Sequence, residues 1–156
     1  MTYAKDTSVS VEKSQADIQQ LLKRYGASGF MFGWDEDQGG AVIYFRAHDR
    51  HVRFWLPLPE RREVATTPTG RQRSKDQVDK AVEQAERSRW RALHLVIKAK
   101  LEAVETGIVS FEDEFLSHIV MPDRKTVGEH LRPQIADAYD TGTMPALLPH
   151  YGGGGG

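Results

Sequence analysis

Between residues 74 and 105 nothing breaks a helix: the stretch holds neither proline nor glycine. Ser74, followed three residues later by Gln77, fits a capping box, and Gly107 supplies a left-handed stop. Roughly 30 residues at ~1.5 Å each make a rod of ~45 Å, longer than a small domain is wide. A chain of 156 residues, about one domain by size, must wrap its other elements around that rod. The first half of the rod carries a narrow apolar stripe (Val78, Val82, Ala85). The second half, residues 90–104, is apolar over much of its circumference and is expected to be the central core helix.

The remaining elements follow from periodicity and punctuation. Residues 10–25 place Val11, Ile18, Leu21, Leu22 and Tyr25 on one helical face, with Ser8 or Ser10 as cap and Gly26 as stop. Three β-rich runs come next: 30–34, 41–47 and 51–56. They are separated by the acidic turn Asp35-Glu36-Asp37-Gln38-Gly39-Gly40 and the reversal His48-Asp49-Arg50, and closed by Pro57 and Pro59. An antiparallel meander is the economical reading. Residues 60–73 read as a polar, mobile loop. Ser110 opens a shorter helix with Phe111, Phe115, Leu116 and Ile119 inward, closed by Pro122. Thr126 and Glu129 cap another, with Val127, Leu131, Ile135, Ala138 and Tyr139 periodic up to Gly142. Pro133 is expected to kink that helix or mark its start. The predicted architecture is α+β: an N-terminal helix, a three-stranded antiparallel meander packed on one long helix, and two shorter C-terminal helices. It forms one domain over residues 1–151, with a loose arm at 1–7 and a disordered glycine tail at 152–156.

Side chains alternate across a strand, so parity sorts the second hairpin into two faces. A two-residue turn is expected to set Tyr44 opposite Trp55, and a four-residue turn to set it opposite Arg53. Either register groups Ile43, Phe45, Val52, Phe54 and Leu56 on one face, an ordinary core face. Tyr44, Arg46, His48, His51, Arg53 and Trp55 fall on the other, where flat rings alternate with cations. Rings stack on bases, and guanidinium groups neutralise phosphates and release counterions. The competing expectation is that the acidic C-terminal helices cover this face, pairing Arg46 and Arg53 with carboxylates such as Glu112 to Glu114.

The net charge of −1 conceals an asymmetry. Residues 46–100 hold 14 Lys and Arg against 7 Asp and Glu, residues 1–45 hold 4 against 6, and residues 101–156 hold 3 against 9. Within the basic middle, Arg61, Arg62, Arg71, Arg73 and Lys75 lead into the N-terminus of the long helix, which itself favours anions. Arg87, Arg89 and Arg91 extend the run. The expected phosphate-holding set is Arg46, Arg53, Arg61, Arg62, Arg71, Arg73 and Lys75, and the expected stacking pair is Tyr44 and Trp55.

Other chemistries find little purchase. The chain has no cysteine, which excludes disulfides, iron–sulfur clusters, thiolate zinc sites and cysteine nucleophiles. Glu114 and His118, at helical i, i+4 spacing with Asp113, Asp123 and His130 nearby in sequence, are the one candidate metal set, and a local Glu–His contact accounts for them as well. There is no Gly-x-Ser-x-Gly elbow and no phosphate-binding loop. His94, within the most apolar stretch of the long helix, reads as a core or interface histidine rather than a general base. No cofactor is expected. No apolar run approaches the ~20 residues of a membrane span, and the opening Met1-Thr2-Tyr3-Ala4-Lys5-Asp6 lacks the apolar core of a secretory signal. The expected location is the cytoplasm, without a membrane partner.

Three segments carry a resemblance: residues 25–34 around Phe30-Met31-Phe32-Gly33-Trp34, residues 89–103 around Arg89-Trp90-Arg91-Ala92-Leu93, and Met144-Pro145-Ala146-Leu147-Leu148-Pro149. They look like a family of small, mostly uncharacterised proteins of tailed bacteriophages and prophages. The element order is also similar to that of single-strand-annealing recombinases and, more loosely, of double-stranded-RNA-binding domains. The first analogy implies a basic groove for single-stranded DNA and a homo-oligomer. The sequence-level expectation is therefore a phage-type nucleic-acid-binding protein acting in the host cytoplasm. The alternative is a protein-interaction module, such as an assembly subunit or an inhibitor of a host system, using the long helix, the acidic C-terminal half and Leu147-Leu148.

Overall fold

In the computed structural model, which describes residues 4–149, the first helix, α1 (Val11–Arg24), starts where the Ser10 hydroxyl accepts a hydrogen bond from the Lys13 N–H. It buries Ile18, Leu21 and Leu22, and the chain reverses at Gly26 (φ +89°). The glycine tail at 152–156 lies outside the described residues. Three strands follow as an antiparallel sheet in the order β1 (Gly29–Asp35), β2 (Gly40–Ala47), β3 (Arg50–Pro57). Helix α2 (Lys75–Glu105) is the expected rod, and its capping box between Ser74 and Gln77 is complete in both directions. Two shorter C-terminal helices, α3 (Phe111–Glu114) and α4 (Val127–Thr141), complete the α+β architecture.

The second hairpin turns on two residues, His48 and Asp49, both in the left-handed region (φ 52° and 59°). Such a turn matches the right-handed twist of the flanking strands. It closes the ladder at Ala47 and Arg50 and sets Tyr44 opposite Arg53. The partner expected for a two-residue turn was Trp55; pairing from residues 47 and 50 inward shows why the shorter turn selects Arg53. The sorting of faces holds within the strands, but His48, expected on the outer face, sits in the turn and stacks on buried Phe111 at 4.5 Å between ring centroids. Ile43, Phe45, Val52, Phe54 and Leu56 are all buried, joined by Ala41 and Ala47. They pack against α1 and against Trp90, Leu93, Ile97 and Leu101 of α2. Phe115 completes this core, edge-on to Phe45 at 5.7 Å and to Phe54 at 6.1 Å between ring centroids. Each such buried side chain contributes about 1.5–3 kcal/mol.

The first half of α2 holds two peripheral pieces. A 3₁₀ turn at Arg61–Val64 packs near its start. Residues 4–7, expected as part of a loose arm, are tied to it: Gln84 donates to the carbonyls of Lys5 (3.2 Å) and Thr7 (3.0 Å), Ser88 donates to Lys5 (2.8 Å), and Ala4 is buried.

The C-terminal third departs furthest from periodicity. The helix expected from Ser110 to Pro122 lasts one turn as α3 and passes into a 3₁₀ turn at Leu116–His118. Backbone pairing then takes over. The Val120 N–H donates to the His51 carbonyl (2.8 Å) and Ile119 bridges to Val52, so the chain runs along the outer edge of β3. Leu116, expected inward, is exposed, whereas Phe111, Phe115 and Ile119 are buried. A turn through residues 121–125, with Arg124 at φ 70°, carries the chain to the Thr126–Glu129 capping box of α4. Helix α4 continues through Pro133, whose missing N–H falls opposite the Glu129 carbonyl, and stops at left-handed Gly142. Only its first turn is buried; Ile135 and Tyr139 are exposed.

Candidate nucleic-acid interface

The outer face of the sheet is a grid of four cross-strand rows, read from β1 to β3: Gly29–Arg46–His51, Met31–Tyr44–Arg53, Gly33–Val42–Trp55 and Asp35–Gly40–Pro57. Rows two residues apart lie about 7 Å from one another along the strands. Tyr44, Arg46, Arg53 and Trp55 therefore come together as expected. Two glycines seat them. A Cβ at Gly40 would fall 2.5 Å from the indole of Trp55, and one at Gly29 would fall 2.9 Å from Nε of Arg46. Trp55 thus lies against the backbone of β2, and the Arg46 guanidinium lies across β1. Neither glycine was singled out in the sequence, because its role depends on a side chain from a neighbouring strand.

The face is covered in one place. The first turn of α4 stands over Arg53, whose Nη2 meets Oε1 of Glu129 at 2.5 Å and whose Nη1 donates to the Arg124 carbonyl at 2.8 Å. Glu129 performs two tasks, since its other carboxylate oxygen accepts from the Thr126 N–H (3.1 Å) and closes the capping box. Burial alone would raise the Glu129 pKa; the Thr126 N–H and the Arg53 guanidinium outweigh it and hold the carboxyl below its ordinary value. The carboxylates expected to cover the face are elsewhere: Glu112 pairs with Arg50 (3.1 Å) and Glu114 with Lys100 (3.2 Å). Around this contact a groove of about 450 Å³ is lined by Asp35, Tyr44, Arg53, Trp55, Glu129 and Arg132, among others. Trp55 is 41% exposed, Arg46 and His51 reach solvent, and Tyr44 is half-buried.

The basic segment after β3 is a separate site, and much of it is engaged. Arg61 pairs with Asp79 at the start of α2, and Arg62 pairs with Glu60 at 2.6 Å. Both pairs are solvent-exposed and so worth little. Arg73 donates to the carbonyls of Val64 (2.8 Å) and Thr66 (3.2 Å), closing a small loop that also carries a bridge between Thr66 and Gln72. Arg46, Arg71 and Lys75 make no ion pair among the described residues. Farther along α2, Arg87 bonds Gln84, Arg89 donates to the Pro57 carbonyl, and Arg91 contacts His94 and Asp17.

The metal candidates do not converge. The α-helix ends between Glu114 and His118, so their i, i+4 alignment is lost. His118 stacks on Phe54 at 3.9 Å between centroids, and burial, with Lys100 nearby, pushes its imidazole pKa down. Asp123 and His130 contact each other at 2.7 Å. Among the described residues no group of three or more ligand-type side chains gathers. His94 is a buried histidine between α1 and α2, its pKa lowered by burial and by Arg91. No helix among the described residues is long and apolar enough to cross a membrane. Comparison with protein-family models, with curated proteins and with solved structures finds no match to this chain.

Proposed function

We propose that the protein binds single-stranded nucleic acid along the outer face of its sheet, as a cytoplasmic protein of the annealing or recombination kind. The observation that carries this reading is Trp55. It is a large ring left at the surface, seated on Gly40 in a groove that it lines with Tyr44, Arg53 and Arg132, and Arg46 and His51 lie one row beyond Tyr44 on the same face of the sheet, outside that groove. Exposed rings interleaved with cations suit a strand whose bases are unpaired, because a duplex hides its base faces. On the sheet the path runs from Arg46 over Tyr44 to Trp55, and the segment that follows β3 supplies a second, separate basic site. Arg46, Arg71 and Lys75 hold phosphates, joined by Arg61 and Arg62 on exchange from their exposed partners. Arg53 and Arg73 shape the two sites through their internal contacts. The phage-type character of the protein rests on the resemblance of the three segments described above.

The test compares a fluorescent oligothymidine with a duplex of equal length. Preference for the single strand, lost on Trp55→Ala and weakened on Tyr44→Ala, supports the proposal; equal affinity for both forms, or none for either, contradicts it. A second reading, a protein-interaction module, draws on one observation: Ile135, Tyr139 and Met144 are 48%, 87% and 81% exposed on and after α4. Retention of oligonucleotide binding by an Ile135→Lys, Tyr139→Lys variant separates the two readings.

A further inference from the structure

The two edges of the sheet are treated differently. The β3 edge is paired with Ile119 and Val120. Strand β1 has β2 as its one neighbour in the sheet, and among the described residues its remaining edge makes no backbone pairing. That edge also lacks the usual safeguards. Gly29 to Trp34 contains no charge and no proline, and the register with β2 runs without a bulge. Instead it shows large apolar side chains on both faces: Met31 is 62% exposed on the outer face, and Phe32 and Trp34 are 43% and 70% exposed on the inner one. An open edge of this composition is a template for another strand.

We propose that β1 pairs antiparallel with β1 of a second copy of this chain, centred on Phe32, making one six-stranded sheet. A two-fold axis requires the antiparallel direction, and the sequence of β1 is complementary to itself in that register. Met31 falls opposite Gly33 of the second copy, where a Cβ would meet nothing within 4 Å, so the glycine leaves room for the methionine. Phe30 falls opposite Trp34, and Phe32 opposite itself, which joins two aromatic rows. Within one copy that row already runs inward, from Phe30 to Phe32 (5.7 Å) and from Phe32 to Trp90 (5.9 Å), so the pairing continues the core. Charge fits as well. Asp35 falls opposite Gly29 of the second copy, the residue over which the Arg46 guanidinium lies. At each end of the interface the Asp35 carboxylate, which also accepts from the Gln38 N–H (3.0 Å), thereby meets the Arg46 guanidinium, which makes no ion pair among the described residues and would exchange this partner for a phosphate when nucleic acid binds. Facing residues of an antiparallel pair share a side of the sheet, so the two outer faces form one surface.

The intact chain, without nucleic acid, is weighed by sedimentation across concentration. The expected mass is twice that of the chain, and a monomer at about 100 μM overturns the proposal. Met31→Lys with Trp34→Lys, both at exposed positions, is expected to weaken the dimer at least tenfold while preserving the circular dichroism spectrum. A dimer indifferent to them uses another surface, α4 being the alternative, and this proposal fails. Because the chain has no cysteine, Phe32→Cys supplies a single thiol whose own copy lies within the ~4.5–5.5 Å between paired Cα atoms, inside disulfide range. Oxidation is expected to give a covalent dimer, and Val96→Cys on α2 is not. Asp35→Arg should weaken association, and adding Arg46→Asp should restore it; failure to restore contradicts the register. The mass is read without oligonucleotide, so this proposal can fail while the nucleic-acid reading stands, and the reverse.

Discussion

On the inner side of β2 and β3, Ile43, Phe45 and Val52 are sealed beneath α1, α2 and Phe115; on the outer side of the same strands, Trp55, Arg46 and His51 reach solvent. Adjacent residues thus serve different ends. The inner side is closed by elements from both termini, and its contacts supply stability. Among the described residues the outer side is held at Arg53, by Glu129 in the first turn of α4 and by the Arg124 carbonyl in the loop before it. It keeps in water an apolar ring and cations that make no ion pair among the described residues, an arrangement that gives the isolated molecule little and suits a ligand. Local sequence therefore separates the residues that hold the fold from those to which the proposed function assigns the ligand.

The contrast can be broken by exchanging effects between the faces. Phe115→Ala, a buried ring between Phe45 and Phe54, is expected to cost about 3–5 kcal/mol in urea unfolding, with oligonucleotide affinity of the folded fraction unchanged. Trp55→Ala is expected to do the reverse: stability within about 1 kcal/mol of the parent, and single-strand affinity lowered by about 1–3 kcal/mol, roughly 5- to 150-fold. Equal damage to both properties by either variant would erase the distinction.

A smaller effect concerns pH. His118 and His94 have imidazole pKa values lowered by burial, so the folded state binds fewer protons than the unfolded one near and below the ordinary histidine pKa of ~6.5. Stability is fully present above that value and is lost as the pH falls through it. Unfolding midpoints measured from pH 8 to 5.5 should decline, and His118→Phe, which keeps a ring on Phe54, should flatten the decline. The smallest expected effect is at Ser14, fully buried in α1 with a hydroxyl that has no hydrogen-bond partner among the described residues. Ser14→Ala should leave stability unchanged or raise it by about 1 kcal/mol.

What the sequence made legible was whatever is local. The long helix and the capping boxes at Ser74 and Thr126 are set by neighbours within four residues, and the two faces of the hairpin by parity, which holds whatever the turn length. Illegible features depended on distant partners. The bond from Arg53 to Glu129 spans 76 positions, and the shortening of α3 follows from Val120 pairing with His51 across the edge of β3. The seats under Trp55 and Arg46 are glycines whose importance appears only when the strands lie side by side. Arg73 read as a phosphate ligand from composition, yet it closes its own loop through two carbonyls 7 and 9 residues away.

The most direct test of the account is a salt titration of single-stranded DNA binding by the intact chain. Contacts to three to five phosphates predict a slope of log affinity against log salt of about −2 to −3.5, a loss of roughly 15- to 130-fold between 50 and 200 mM. The slope should become shallower by about 0.7 on Arg46→Ala. Absence of binding at low salt, or binding indifferent to salt and to Arg46, would contradict it.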